Sequence, residues 1–236
     1  MKFRKSLIYV AVISGILGTV GCTTQTASLT DQPMIEMGLN VPVMFDDMDV
    51  TRYVNPFIGT GNLGNTYPGA TTPHGMVQLS PNNGSNGWEY TSGYYYNDNR
   101  TVGFSHTHLS GAGAGDLNDI LVMPINSRSD YMLNEGSSRL HVEGSRFKHK
   151  NEQATAGYYS VFLDDYDIKA ELTASDRVGV HRYSFPQDEK SEIIVNLGFT
   201  INWDYTAESH FEWDKRNRSL NPYRIMTIPC VISTIT

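Results

Sequence analysis

The chain has 236 residues, a formal net charge of −7 and an ordinary globular composition, with 39% hydrophobic and 18% charged residues. This acidic balance disfavours a nucleic-acid partner, because binding to phosphates depends on clustered lysine and arginine side chains. Once an export segment is subtracted, roughly 215 residues remain, enough for one large all-β domain or two small domains. Two large domains are excluded, and neutral ligands remain possible.

Residues 1–22 have the pattern of an export signal. Basic residues precede an apolar run over residues 7–17, and small residues then lead to Cys22. This order is typical of a secretory signal peptide, and the run is shorter than the roughly 20 residues that a membrane span needs. Because Cys22 follows Gly21 as in a bacterial lipobox, we predict that it is acylated and anchors an exported lipoprotein in the outer membrane or periplasm. Plain secretion is the alternative.

Residues 23–50 are polar and irregular, and they show neither helical nor strand periodicity. We predict a flexible tether, which would hold an anchored domain away from the membrane surface. A leader without a specific purpose is the alternative. If Cys22 carries a lipid, Cys230 has no partner, and no disulfide framework is expected.

Residues 51–213 contain short β-branched and aromatic runs separated by glycine, asparagine and proline. The clearest apolar alternation lies in residues 168–174 and 178–185, and a period of two indicates a strand with one buried face. Further strands are predicted over residues 53–58, 75–79, 102–107, 119–125, 158–163 and 192–197. Since the sequence offers no amphipathic helix of three turns, it predicts an all-β fold, an antiparallel β-sandwich.

Two segments between these strands have residue types that suit ligand contact. The glycines of residues 56–70 permit close approach of the backbone to a ligand. A plain chain-reversing turn is the alternative, whereas a nucleotide-binding loop would require a following helix. In residues 87–98, Trp88 and Tyr94 to Tyr96 could stack on the C–H faces of a sugar or pack at the edge of the sandwich. Because neighbours in an extended chain face opposite sides, only some of these tyrosines can meet one ligand.

A third segment, residues 103–116, places His106 and His108 on one face if it is extended. Such a pair could chelate zinc, but the sequence does not identify the further ligands that zinc requires. The candidates for a third ligand are His74, Asp116 and Asp119. The alternative is that these histidines, like His181, are hydrogen-bonded structural groups.

Five motifs in a fixed order resemble the N-terminal domain of glycoside hydrolase family 92 α-mannosidases. They are residues 53–60 (YVNPFIGT), 66–70 (TYPGA), 75–81 (GMVQLSP), 92–96 (SGYYY) and 103–111 (GFSHTHLSG). The chain departs from the family pattern at His74 and Asn65. Residues 214–236 do not resemble the family, so we predict a divergent tail, from a truncation or a shifted reading frame. Such a tail would leave an unpaired strand edge and exposed apolar surface.

The resemblance implies a calcium-dependent, inverting exo-α-mannosidase that removes terminal mannose from glycans, in which this sandwich packs on an (α/α)6 barrel. It places the catalytic acid, the catalytic base and the calcium ligands in the barrel, so the chain is expected to be inactive alone. No catalytic or metal role is therefore expected for Glu89, Asp98 or Asp116. Sugar contact is implied for Thr60, Gly61, Asn62, Asn65 and Trp88. A non-catalytic mannose-binding lipoprotein that uses the same loops is the alternative.

Overall fold

Two five-stranded antiparallel sheets form the fold of the computed structural model, which describes residues 10–13, 49–111, 115–127, 144–187, 190–202 and 205–227. Strands are numbered in chain order. The first sheet contains, in spatial order, β1 (Val10–Ile13), β11 (Val178–Ser184), β10 (Ile168–Ala174), β9 (Tyr158–Leu163) and β8 (Glu152–Thr155). The second contains β12 (Glu192–Asn196), β6 (Leu121–Ile125), β5 (Gly103–Ser105), β3 (Gln78–Asn82) and β2 (Ala70–Thr71).

Two additional strand pairs complete the fold. They are β4 (Arg100–Thr101) with β7 (Ser145–Arg146), and β13 (Tyr205–Asp214) with β14 (Ser219–Thr227). The described helices are short 3-10 turns at Val50–Tyr53, Trp88–Tyr90 and His149–Asn151. The prediction of an all-β antiparallel sandwich is confirmed.

The core lies between the two five-stranded sheets. In β10, Ile168, Ala170 and Leu172 are buried on one face, while Lys169 and Thr173 on the other face are exposed. Glu171 of that second face is also buried and accepts a hydrogen bond from Arg182. The sheets approach so closely that a Cβ atom on Gly179 of β11 would lie 2.9 Å from the Leu79 side chain of β3. Burying a large apolar side chain contributes about 1.5–3 kcal/mol, so this layer stabilises the sandwich.

One predicted strand, residues 53–58, is wrong. Asp49 accepts a hydrogen bond from the Thr51 amide at 3.0 Å and caps the first 3-10 turn. Asn55 then accepts from the Phe57 amide at 3.0 Å and forms a second turn. Local hydrogen bonds from aspartate and asparagine side chains therefore override the β propensity of the aromatic and branched residues.

The amino-terminal segment is described in part. Strand β1 lies inside the predicted signal peptide and pairs with β11 in a register that joins Val10 to His181 and Ile13 to Val178. Cys22 lies outside the described residues, as does the predicted tether apart from Asp49 and Val50. In the described part of the chain, no helix is long and apolar enough to cross a membrane.

The β13–β14 hairpin forms a separate two-stranded sheet. Phe211 and Trp213 of β13 are exposed. These two residues precede the tail, residues 214–236, for which an unpaired strand edge and exposed apolar surface are predicted. Within that tail, β14 pairs with β13 from Ser219 to Thr227. Residues 228–236 lie outside the described residues.

Candidate functional site

The glycine-rich loop, residues 56–70, is closed by its own backbone hydrogen bonds. The Thr66 amide donates to the Gly59 carbonyl oxygen at 3.2 Å, and Gly59 has a φ of 81°. Gly64 packs on the same carbonyl so closely that a Cβ atom there would lie 2.2 Å from the Gly59 oxygen. The loop can therefore form only with glycine at position 64.

We expect Gly64→Ala to destabilise the domain, because the added Cβ forces the backbone of the loop to move. Overpacking of this kind costs about 1–3 kcal/mol, which chemical denaturation can measure. The matched control is Gly61→Ala, because a Cβ there would lie 3.9 Å from Tyr96 Cβ, an ordinary contact. Equal stability of the two variants would show that the loop has more room than its geometry indicates.

Two of the predicted contact residues, Thr60 and Asn65, lie inside this loop and are only 2% and 3% exposed. The Thr60 hydroxyl donates to the Phe57 carbonyl at 2.8 Å, and the Thr60 carbonyl accepts from the Tyr96 amide at 2.9 Å. The Asn65 carbonyl accepts from the Gly111 amide at 2.6 Å. Both residues therefore fasten the loop to neighbouring segments.

The other two predicted contacts of the loop are accessible. Gly61 is half-buried, and Asn62 is exposed with a φ of 52°. Because the amide side chain of Asn62 offers both a donor and an acceptor, it is suited to the hydroxyl groups of a neutral ligand.

Trp88, the fifth predicted contact, is 55% exposed and begins a 3-10 turn. The turn is held by Asn202, whose side-chain oxygen accepts from the Gly87 amide at 2.9 Å. The backbone amide of Asn202 donates to the Ser85 carbonyl oxygen at 2.6 Å. Trp88 is thus presented by a fixed turn that is anchored separately from the glycine-rich loop. Because Gly87 and Asn202 are 115 positions apart, no local sequence pattern indicates this role of Asn202.

The three adjacent tyrosines differ in exposure but do not alternate as an extended strand would, because the segment runs into a turn at Tyr96. Tyr94 is fully buried, Tyr95 is half-buried, and Tyr96 is 40% exposed. The Tyr94 hydroxyl donates to Glu152, and burial together with that carboxylate raises the pKa of Tyr94. Only Tyr96 therefore presents a substantial aromatic surface to solvent.

Behind Tyr96 lies a buried carboxylate that the sequence did not reveal. The Glu152 side chain is 1% exposed, and it accepts from Tyr94 at 3.0 Å, from Tyr159 at 2.6 Å and from His149 Nδ1 at 2.7 Å. Tyr94 and Glu152 are 58 positions apart, so no local pattern signals the contact. We name Glu152, Tyr94, Tyr159 and His149 the Glu152 cluster.

His106 and His108 belong to separate hydrogen-bond networks. His106 contacts the Ile120 carbonyl through Nδ1 at 2.7 Å and His181 Nε2 through Nε2 at 3.1 Å. His108 contacts the Gln78 carbonyl through Nδ1 at 2.9 Å and Ser105 Oγ through Nε2 at 3.0 Å. Burial lowers the pKa of His106 to about 4 and that of His108 to about 3.

These contacts identify both histidines as hydrogen-bonded core groups, the second of the two interpretations of the sequence. Of the candidate third ligands, His74 is exposed, and Asp119 accepts from the Thr107 hydroxyl at 3.0 Å. The described residues contain no group of three or more histidine, cysteine, aspartate or glutamate side chains that could hold a metal ion. The geometry therefore does not support a zinc site at His106 and His108.

A cleft of about 530 Å³ lies elsewhere on the described surface and contains none of the predicted contact residues. It is lined by Asn99, Arg146, Phe147, Lys148, Asp164 and Asp167. Its cations form ion pairs, Lys148 with Asp164 at 3.1 Å and Arg146 with Asp165 at 2.6 Å. Exposed pairs of this kind contribute little to stability and leave no uncompensated cation for an anionic ligand.

An antiparallel sandwich with an exposed tryptophan and a rigid glycine-rich loop suits a domain of a carbohydrate-active protein. The profile of the glycosyl hydrolase family 92 N-terminal domain matches residues 53–228, and the chain belongs to this family. The match extends through β14, so the resemblance continues beyond residue 213, the predicted end of the domain.

Solved structures with this fold include two enzymes of Bacteroides thetaiotaomicron. The family GH92 α-mannosidase BT3965, in complex with mannoimidazole, is 36% identical, with a TM-score of 0.67 over 75% of this chain and 23% of its own. The family GH92 inverting mannosidase BT2199 is 28% identical, with a TM-score of 0.55 over 73% of this chain and 22% of its own.

An uncharacterized secreted glycosidase of Arthroderma benhamiae is 28% identical over 141 residues, which cover 59% of this chain and 18% of that protein. The chain therefore spans less than a quarter of the length of each of these relatives.

Proposed function

We propose that this chain is the carbohydrate-contacting N-terminal domain of an exported α-mannosidase that hydrolyses terminal α-mannosides in glycans. The observation that carries the proposal is the family match over residues 53–228, with α-mannosidases among the similar structures. In this proposal, residues 1–22 are a lipoprotein signal peptide, Cys22 carries the lipid, and residues 23–50 tether the domain. A secreted glycosidase among the relatives supports export.

The domain supplies one side of the sugar site in this proposal. The exposed indole of Trp88 stacks on the C–H face of a sugar ring, and the Asn62 amide bonds to a hydroxyl group. Because both lie on segments fixed by backbone hydrogen bonds, little conformational entropy is lost when the sugar binds.

The chemistry itself is assigned to an (α/α)6 barrel packed on this domain. Inverting hydrolysis needs a carboxylic acid and a carboxylate about 6.5–9.5 Å apart, one to protonate the departing oxygen and one to activate water. Calcium, an oxygen-liganded cation, belongs to the same barrel in this proposal. The described residues of this chain offer no acidic cluster suited to a metal ion, so we assign them no role toward calcium.

We expect the purified chain to bind α-1,2-mannobiose and to leave 4-nitrophenyl α-mannoside intact, with calcium or with a chelator. Trp88→Ala should weaken mannobiose binding about tenfold, because stacking contributes roughly 0.5–1.5 kcal/mol beyond the buried area. Turnover that persists through rigorous purification would contradict the assignment of catalysis to a barrel. Absence of mannobiose binding would contradict the contact role of this domain.

Sequencing the DNA that follows codon 236 tests whether a barrel is encoded together with this domain. A barrel encoded downstream supports a domain of a mannosidase. Its absence favours the alternative, a non-catalytic glycan-binding lipoprotein that uses the same loops.

A further inference from the structure

Tyr96 is an exposed aromatic ring that is held in a single orientation. Its ring is stacked on His149 with a centroid distance of 4.2 Å and an interplanar angle of 11°. Phe57 contacts it at 5.9 Å and 70°. The His149 side chain is 33% exposed and also packs edge-on against the buried Phe147 ring, with a centroid distance of 5.4 Å.

The Glu152 cluster fixes this stacked pair. Glu152 could satisfy its buried carboxylate with the Tyr94 and Tyr159 hydroxyl groups, but it also accepts from His149 Nδ1 at 2.7 Å. Burying a carboxylate is costly unless it is paired and hydrogen-bonded. Here the hydrogen bonds of the buried Glu152 carboxylate extend outward to the partly exposed His149 imidazole, which stacks on the Tyr96 ring. The arrangement immobilises an aromatic surface that would otherwise move.

Tyr96 also lies directly against the glycine-rich loop. Its amide donates to the Thr60 carbonyl at 2.9 Å, and its Cβ would lie 3.9 Å from a Cβ at Gly61. The next residue, Asn62, is exposed. A fixed aromatic ring on a segment that adjoins an exposed amide is suited to a neutral sugar, since the ring packs on C–H groups and the amide bonds to hydroxyl groups.

We infer that Tyr96, supported by His149 and Glu152, forms with Asn62 a second sugar-stacking position that takes a neutral pyranose ring of the same glycan. The inference rests on the proposed function and adds a position to Trp88, which is anchored by Asn202 instead. Tyr96 contacts the sugar, whereas His149 and Glu152 are positioning residues.

The test is titration of the full chain, purified in detergent micelles, with α-1,2-mannobiose followed by NMR. We expect Tyr96→Ala to weaken binding about tenfold and Tyr96→Phe, which keeps the ring, to stay within about twofold of wild type. His149→Gln removes the stacked imidazole and should weaken binding about threefold, measured at a temperature at which the variant is folded. Retention of binding by Tyr96→Phe would show that the aromatic ring, and not the hydroxyl group, carries the interaction.

Trp88→Ala, measured in parallel, distinguishes failure of the Tyr96 inference from failure of the proposed function. Binding that is weakened by Trp88→Ala and untouched by Tyr96→Ala would overturn this inference and leave the proposed function standing. Absence of binding by the wild-type chain would overturn both. If Tyr96→Ala fails to fold, the comparison of His149→Gln with wild type decides, and equal affinity of those two proteins would overturn the inference.

Discussion

Glu152→Ala is expected to lower the unfolding temperature by roughly 6–12 °C, because loss of the shared acceptor of two buried hydroxyl groups costs about 3 kcal/mol. The substitution deletes the acceptor for Tyr94, Tyr159 and His149 together. Tyr94 and Tyr159 are fully buried, so their hydroxyl groups cannot turn to water. An unsatisfied buried donor costs about 1–3 kcal/mol on its own. Thermal unfolding followed by circular dichroism measures the effect.

The matched control is Gln153→Ala, because Gln153 is the next residue of β8 and is exposed. It should change the unfolding temperature by no more than about 1 °C, since surface substitutions usually stay within ±0.5 kcal/mol. Tyr94→Phe, alone and combined with Glu152→Ala, completes a double-mutant cycle. Unfolding of Glu152→Ala at the wild-type temperature would show that the buried hydrogen bonds contribute nothing net to stability.

The best-predicted strands are those in which apolar and polar residues alternate, because the alternation shows which residues face the core. Residues 168–174 begin and end in the structure where alternation predicted them, and β11 ends at Ser184, one residue before the predicted end of 178–185. The bounds of residues 158–163, predicted from residue type, also match. Residues 75–79 were shifted, because β3 runs from Gln78 to Asn82 and is buried on both faces over its last four residues. A strand buried on both faces has no alternation to mark its ends.

The candidate site was harder to predict from the sequence, because contacts between residues far apart in the chain form it. Gly61, Asn62 and Trp88 are accessible, as surface contact requires. Thr60 and Asn65 are buried by segments that follow them by tens of residues, through the Tyr96 and Gly111 amides. Likewise, Glu152 reaches Tyr94 across the sandwich. A motif identifies the loop, but only the fold decides which of its side chains face outward.

Acid is expected to unfold this domain through its buried histidines. His181 is fully buried, and burial lowers its pKa well below the usual value, as it does for His106 and His108. All three are therefore neutral in the fold at mildly acidic pH, whereas each takes up a proton in the unfolded chain near pH 6.5. The unfolded state then binds more protons, so stability is present above pH 6.5 and falls as the pH drops toward 4.

Each histidine contributes about 1.4 kcal/mol per pH unit in this window, so the three together should remove about 3–4 kcal/mol between pH 6 and pH 5. Glu171 acts at lower pH, because hydrogen bonds from Arg182 lower its pKa to about 2, and its contribution is lost only as the pH falls below about 4.5. Urea denaturation at pH 7, 6 and 5 measures the contribution of the histidines to stability, apart from that of Glu171, which acts at lower pH.

His108→Gln should reduce this pH dependence by about one third, because one of three titrating groups is removed. Gln153→Ala is the control, since Gln153 is exposed and its replacement removes no titratable group, so the slope should stay unchanged. A free energy of unfolding that stays constant from pH 7 to pH 5 would mean that the buried histidines gain protons without unfolding the domain. Because the three imidazoles join β5, β11 and the 106–108 segment through hydrogen bonds, their protonation should release both sheets in one transition.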